Sequence, residues 1–243
     1  SPTDPGVYAF ALSADGASVL LAGTFGYAGG FYCNLLMRFD RAGAIDTGWC
    51  PDTPPERSGR VTDIALSPDD ATVYVAGDLA EIGGAPGDYL AAIDATTGHA
   101  NPTWNPAPDA DVYALAVNPD DGTVYAGGDF YTIGGASRQY VAALEPAVGT
   151  ATGDAIGGST WGDADDSVYA LALSTDGRTL YIGGSFGTAG TETRDRLAAF
   201  DVDPTSTAFG DATSWNPAAD GGAVYSLAVN PVSGTVYAGG MFT

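Results

Sequence analysis

The chain has 243 residues, 45% of them apolar and 35 of them glycine, which supplies a core and argues against global disorder. Thirty acidic residues face eight basic ones, all arginine, giving a formal charge of −22. Such a field repels phosphate backbones and anionic membranes, so no nucleic-acid partner is expected; a basic or metal-bearing partner, or a high-salt setting, fits better. No run of 18 apolar residues occurs, so no direct membrane insertion is expected either.

VYAFALS at 7–13 is the first copy of a phrase that returns as VTDIALS at 61–67, VYALAVN at 112–118, VYALALS at 168–174 and VYSLAVN at 224–230. The spacings are 54, 51, 56 and 56 residues. A unit recurring at that period buries its apolar faces against its neighbours. In the first unit a turn at Asp15-Gly16 leads to a second strand at Ser18–Ala22. A third strand follows at Leu35–Phe39, and a fourth holds Trp49. Cys33 and Cys50 share a midpoint with the turn at 40–43, so they are expected to face one another on antiparallel strands and form a disulfide. The alternative is two unpaired buried thiols. A bridge would favour an oxidising compartment. Arg38 stands inside the third strand and, if buried, would need a carboxylate.

The second unit repeats the grammar with strands at Thr72–Ala76 and Leu90–Ile93 and then Trp104. His99, the only histidine, falls in a turn there. The third unit has a hairpin turn at Asn118–Gly122, a strand over 123–128, a loop at Asp129–Gly135 with an aromatic anchor, a strand at Tyr140–Leu144, and Trp161. The fourth has Thr179–Ile182, Leu197–Phe200 and Trp215. The fifth offers only Val224–Asn230 and Thr235–Ala238. No stretch carries a sustained helical period.

These units predict an all-β fold: a β-propeller of four-stranded antiparallel blades, four complete blades plus the first half of a fifth, as one domain over 1–243. Units start near 7, 61, 112, 168 and 224. The missing half blade has three readings: a piece of a longer propeller, a closed ring with a thin fifth blade, or an open edge near Thr235–Ala238 that another copy completes to give a homo-oligomer.

The pattern VYALA…TVYAGGDF…GG…R…VAAL…TG…WNP resembles secreted bacterial propellers built from delta-60-type repeats. It is carried by Val112–Gly135 with Tyr140–Glu145, by Val168–Phe186 with Arg196–Asp201 and Trp215-Asn216-Pro217, and by Val61–Gly84 with Leu90–Gly98 and Trp104-Asn105-Pro106. The first unit departs furthest, with Trp49-Cys50-Pro51 in place of Trp-Asn-Pro and a cysteine pair outside the pattern. The resemblance implies an extracellular or cell-surface module with no shared catalytic set.

Trp49, Trp104, Trp161 and Trp215, and likewise Phe25, Phe130, Phe186 and Phe242 with Leu79 in the same place, recur once per unit. They read as wedges between blades, with sugar stacking as the alternative. Asp163, Asp165 and Asp166, with Asp109 and Asp111, are the densest carboxylates on one face and the candidate donors for Ca²⁺, although no calcium-loop spacing occurs. The alternative is a solvated acidic rim. Asp15, Asp69, Asp70, Asp120, Asp121 and Asp176 read as turn formers. Arg138 and Arg196 stand before third strands, placed to pair with neighbouring aspartates.

No nucleophile elbow, phosphate loop or nucleotide fingerprint is present. The expected function is therefore a non-enzymatic extracellular structural or adhesive module with protein or glycan partners. The alternatives are a polysaccharide-acting lyase or hydrolase, which would need paired carboxylates of divergent pKa, and a glycan-binding lectin, which would need an exposed tryptophan face.

Overall fold

A computed structural model describes residues 6–51, 59–79, 81–85, 87–151 and 163–242. The chain divides into two compact units, Ser1–Ala107 and Pro108–Thr243. Both consist of small antiparallel sheets, so the all-β expectation holds.

In the first unit, β1 (Val7–Leu12), β2 (Ser18–Gly23) and β5 (Leu36–Asp40) form one sheet in the order β1-β2-β5. Between β2 and β5 stands a miniature hairpin of β3 (Tyr27–Ala28) and β4 (Phe31–Tyr32). The next sheet joins β6 (Arg60–Leu66), β7 (Thr72–Asp78) and β8 (Leu90–Asp94). β1 and β6 are neighbours. Between the two sheets Leu20, Leu36, Trp49, Val61, Ile64, Val73 and Leu79 make one core.

The second unit repeats the plan. One sheet holds β9 (Val112–Val117), β10 (Val124–Gly128) and β13 (Val141–Leu144), with β11 (Thr132–Ile133) and β12 (Ala136–Ser137) as its small hairpin. Another holds β14 (Val168–Leu173), β15 (Thr179–Gly184) and β18 (Leu197–Asp201), with β16 (Thr188–Ala189) and β17 (Glu192–Thr193) between them. Among the described residues β19 (Gly221–Val229) and β20 (Val236–Phe242) pair only with each other. β14 lies between β9 and β19. Phe186, Phe200, Val168, Leu180 and Ile182 are fully enclosed in the core here. Burying each such side chain contributes roughly 1.5–3 kcal/mol relative to leaving it in water.

Short polar side chains set the hairpin turns. Ser13 donates to Asp15 at 2.7 Å, and Asp15 accepts the Ala17 N–H at 2.8 Å. Ser67–Asp69 and Ser174–Asp176 repeat this, while Asn118 and Asn230 hold the remaining two turns through their side-chain oxygens. The turn-forming reading of Asp15, Asp69 and Asp176 is thus seen directly.

Two expectations need correction. Among the described residues four sheets have three strands, and the fourth segment shows as a single bridge: Phe39 with Ile45, Ile93 with Ala100, Leu144 with Ala151 and Phe200 with Ala212. The chain turns away at once because polar side chains capture the backbone just beyond. Asp46 takes the Gly48 N–H, and Asn101 takes the Thr103 N–H. Trp49, Trp104 and Trp215 accordingly stand beyond the bridge, outside any strand. The loops expected after each second strand also carry structure. Gly29-Gly30 and Gly134-Gly135 are two-residue turns with both φ positive, the geometry that matches strand twist.

A backbone clamp recurs before each third strand. Leu35, Tyr89, Tyr140 and Arg196 all have φ between 64° and 69°. Their carbonyls accept the N–H of Gly23, Gly77, Gly128 and Gly184 in turn. In three of them the N–H is bound by an aromatic residue's carbonyl: Leu35 to Phe25, Tyr140 to Phe130 and Arg196 to Phe186.

Candidate functional site: a strip of bulged tyrosines

Every first strand slips register at the same point. Val7 pairs with Gly23 but Ala9 with Ala22, so Tyr8 has no partner. The same count leaves Thr62, Tyr113, Tyr169 and Tyr225 as the extra residues of β6, β9, β14 and β19. A bulge bends its strand and re-aims the side chain it carries. The partner strand must come very close there. A Cβ on Gly23, Gly77, Gly128, Gly184 or Gly240 would lie 1.9–2.2 Å from the carbonyl oxygen of Gly6, Arg60, Asp111, Ser167 or Ala223. Only glycine fits that position.

In the second unit the bulges align three rings. Tyr113 and Tyr169 have centroids 5.4 Å apart and planes at 45°; Tyr169 and Tyr225 are 5.3 Å apart at 39°. Tyr225 is 48% exposed, whereas Tyr113 and Tyr169 are half-buried. The rings therefore form a tilted strip whose outer end is open to solvent.

Carboxylates border the strip. The Tyr113 hydroxyl donates to Asp129 at 2.6 Å and lies 3.4 Å from Asp111. The Ser167 hydroxyl also donates to Asp129, and the Ser167 N–H donates to Asp166 at 2.7 Å. Burial, the Asp129 hydrogen bond and the nearby negative charges hold the Tyr113 hydroxyl far above the usual tyrosine pKa, so it remains a donor. Beside it the Tyr131 and Tyr140 hydroxyls meet at 2.8 Å. That bond, burial, and the charges of Asp166 and Asp129 push Tyr140 up to about 12.

The structure shows what the five aspartates named as candidate Ca²⁺ donors touch. Asp109 accepts the N–H groups of Tyr131 and Thr132 at 2.8 and 3.0 Å. Asp165 accepts those of Gly187 and Thr188 at 2.8 and 2.9 Å. Each thus pins the loop that follows a second strand. Burial alone would raise the Asp165 carboxyl; the Thr188 and Gly187 donors together outweigh it and hold the pKa down. Asp163 accepts the Gln139 N–H at 3.0 Å, and burial raises its pKa against that bond and the Arg138 charge. Asp111 and Asp166 border the tyrosine strip. Among the described residues no group of three or more His, Cys, Asp or Glu side chains is placed to hold a metal ion.

Cys33 and Cys50 are bridged, with Cα atoms 5.6 Å apart. They do so from loop positions rather than from paired strands, because Cys33 follows β4 and Cys50 lies beyond the Ile45 bridge. Trp49 and Trp104 are buried, the latter against Tyr74 at 5.0 Å. Trp215 is half-buried against Tyr181 at 5.1 Å. Trp161 lies outside the described residues. Phe130, Phe186 and Leu79 are buried, and Phe25 and Phe242 are half-buried. Phe25 helps to line an apolar pocket of about 190 Å³ with Val7, Leu21, Tyr27 and Met37.

Arg38 pairs with Asp46 as expected. Among the described residues Arg138 and Arg196 form no ion pair with an aspartate: Arg138 donates to the Ser137 carbonyl, its charge acting on Asp163 only at longer range, and Arg196 donates to that of Ala219. His99 is exposed in its turn. Of the candidate edge Thr235–Ala238, all but Thr235 lies in β20, which has β19 on one side and no other strand among the described residues.

The tyrosine strip is the feature that the sequence reading missed. Its signal was the second letter of the repeated VY, absent only from VTDIAL.

Residues 18–48, from β2 to the segment just before Trp49, match a family described as a beta-propeller domain of unknown function, DUF5122. No curated protein matches the chain.

Proposed function

We propose that this chain is a non-enzymatic, extracellular β-propeller module that binds a protein or glycan partner through its tyrosine strip. The repeated sheets serve as blades, four of them with a third strand and β19–β20 as the first half of a fifth. Support for the propeller comes from the repeat period and from the family match over 18–48. Support for an oxidising location comes from the Cys33–Cys50 bridge. The observation that carries the binding role is the bulge-aligned strip Tyr113–Tyr169–Tyr225, with an exposed outer ring. Self-association through the outer edge of β20 belongs to the same reading.

One observation favours a second reading, a polysaccharide-acting hydrolase or lyase. Burial raises the pKa of the half-buried Asp163, the direction a general acid needs. A single experiment separates the two. The purified chain is incubated with extracellular polysaccharides and matrix proteins, scoring both retention and released chain ends. Retention that Tyr225→Leu weakens, with no product, is expected. Release of reducing or unsaturated ends that Asp163→Asn abolishes would replace the binding module with the enzyme.

A further inference from the structure

We infer that the tyrosine strip of the second unit docks a basic polypeptide segment, its arginine side chains stacking on Tyr169 and Tyr225 beside Asp111, Asp129 and Asp166. This rests on the binding reading above and names the partner's chemistry. Three observations carry it. The rings are held, not loose: each sits on a bulge opposite an obligatory glycine, and Tyr113 is tied to Asp129. Ring faces attract cations, guanidinium most of all.

The bordering carboxylates also lack a cation of their own. Among the described residues of this unit, Arg178 pairs with Asp203, Arg194 with Glu192, and Arg138 and Arg196 serve carbonyls. None neutralises Asp111, Asp129 or Asp166.

Charge complementarity decides the occupant. A neutral sugar would stack on the rings but gain nothing from the net charge, and an anionic chain would be repelled. A chain of −22 without a single lysine draws a basic segment from a distance and offers it aromatic faces on arrival.

The test titrates the whole chain with a short labelled oligo-arginine peptide, an oligo-lysine of equal length, and a neutral oligosaccharide, following anisotropy or heat. Oligo-arginine is expected to bind best. Tyr225→Leu, at an exposed position, should weaken it about threefold to fivefold, and the pair Tyr169→Leu with Tyr225→Leu about tenfold or more. Asp129→Asn should weaken it further, whereas Asp176→Asn, in a hairpin turn, should not. If Asp176→Asn costs as much as the tyrosine variants, the attraction is diffuse charge and the inference fails. Tyrosine-dependent binding of the oligosaccharide without the peptide would also overturn it, while leaving the binding module intact. Loss of both would remove the module's site altogether.

Discussion

The carbonyl oxygen of Asp111 lies 2.1 Å from where a Cβ on Gly128 would stand. The oxygen is a backbone atom and the backbone fixes where a Cβ points, so neither can swing aside. Gly128→Ala should therefore cost about 3 kcal/mol, the upper end of overpacking. Gly16 offers the comparison: its φ is +64° but nothing lies within 4 Å, so Gly16→Ala should cost only about 1 kcal/mol of backbone strain. Denaturant midpoints of the two variants measure this. Equal losses would mean that the bulge relaxes.

Arg38 holds Asp46 through Nε at 3.0 Å and Nη2 at 2.6 Å, gives Nη1 to the Ala95 carbonyl, and lies over the Trp49 ring at 4.9 Å. Arg38→Ala should cost about 2–3 kcal/mol, more than a surface pair, because a charged donor and a ring contact vanish together. The Arg38 hydrogen bond is the main cause of the lowered Asp46 pKa. A carboxyl lowered by folding stabilises above its unfolded pKa and loses that as pH falls through the folded one. The penalty of Asp46→Asn should thus shrink in acid. A penalty constant from neutral pH to below the carboxylate range would contradict the pairing.

Asp163 runs the other way. Its folded pKa is raised by burial, so its contribution is present below the unfolded pKa and is lost as pH rises through the folded one. Asp163→Asn keeps an oxygen for the Gln139 N–H and removes the buried charge. The variant should melt higher than the parent at neutral pH and gain nothing in acid. Melting curves at both pH values check the sign, and a neutral-pH loss would show that Arg138 dominates instead.

Reducing the Cys33–Cys50 bridge frees a loop spanning 17 residues and should lower stability by at most about 3 kcal/mol. Cys50 is exposed, so reductant can reach it. Melting with and without reductant, with thiols counted, measures the effect. Unchanged melting after full reduction would make the bridge structurally idle.

Strands and turns were legible because each rests on local chemistry: Ser13-Ala14-Asp15-Gly16 encodes its own hairpin, and VYALAV its own ladder. The disulfide was legible by symmetry about one turn. The fourth strand was not, since Asn101 and Asp46 look like ordinary loop residues until they are seen taking the Thr103 and Gly48 N–H groups. The role of Asp109 and Asp165 was hidden for a related reason. Each binds backbone more than twenty positions away, at Tyr131–Thr132 and Gly187–Thr188, and no composition or period records such a reach. The bulges were equally silent: Gly128, Gly184 and Gly240 look like any strand glycine, yet each marks the register slip that leaves a tyrosine as the extra residue opposite.

The clamp before each third strand has a consequence for diversification. At Leu35, Tyr89, Tyr140 and Arg196 the left-handed backbone is imposed by its hydrogen bonds, not by the residue type. Leucine enters the core there, tyrosine joins a hydroxyl pair, and arginine reaches a loop carbonyl. One scaffold coordinate thus accepts unlike side chains without altering the sheet around it. Each repeat carries an interchangeable socket, and a surface of chosen chemistry can be written into the array one socket at a time.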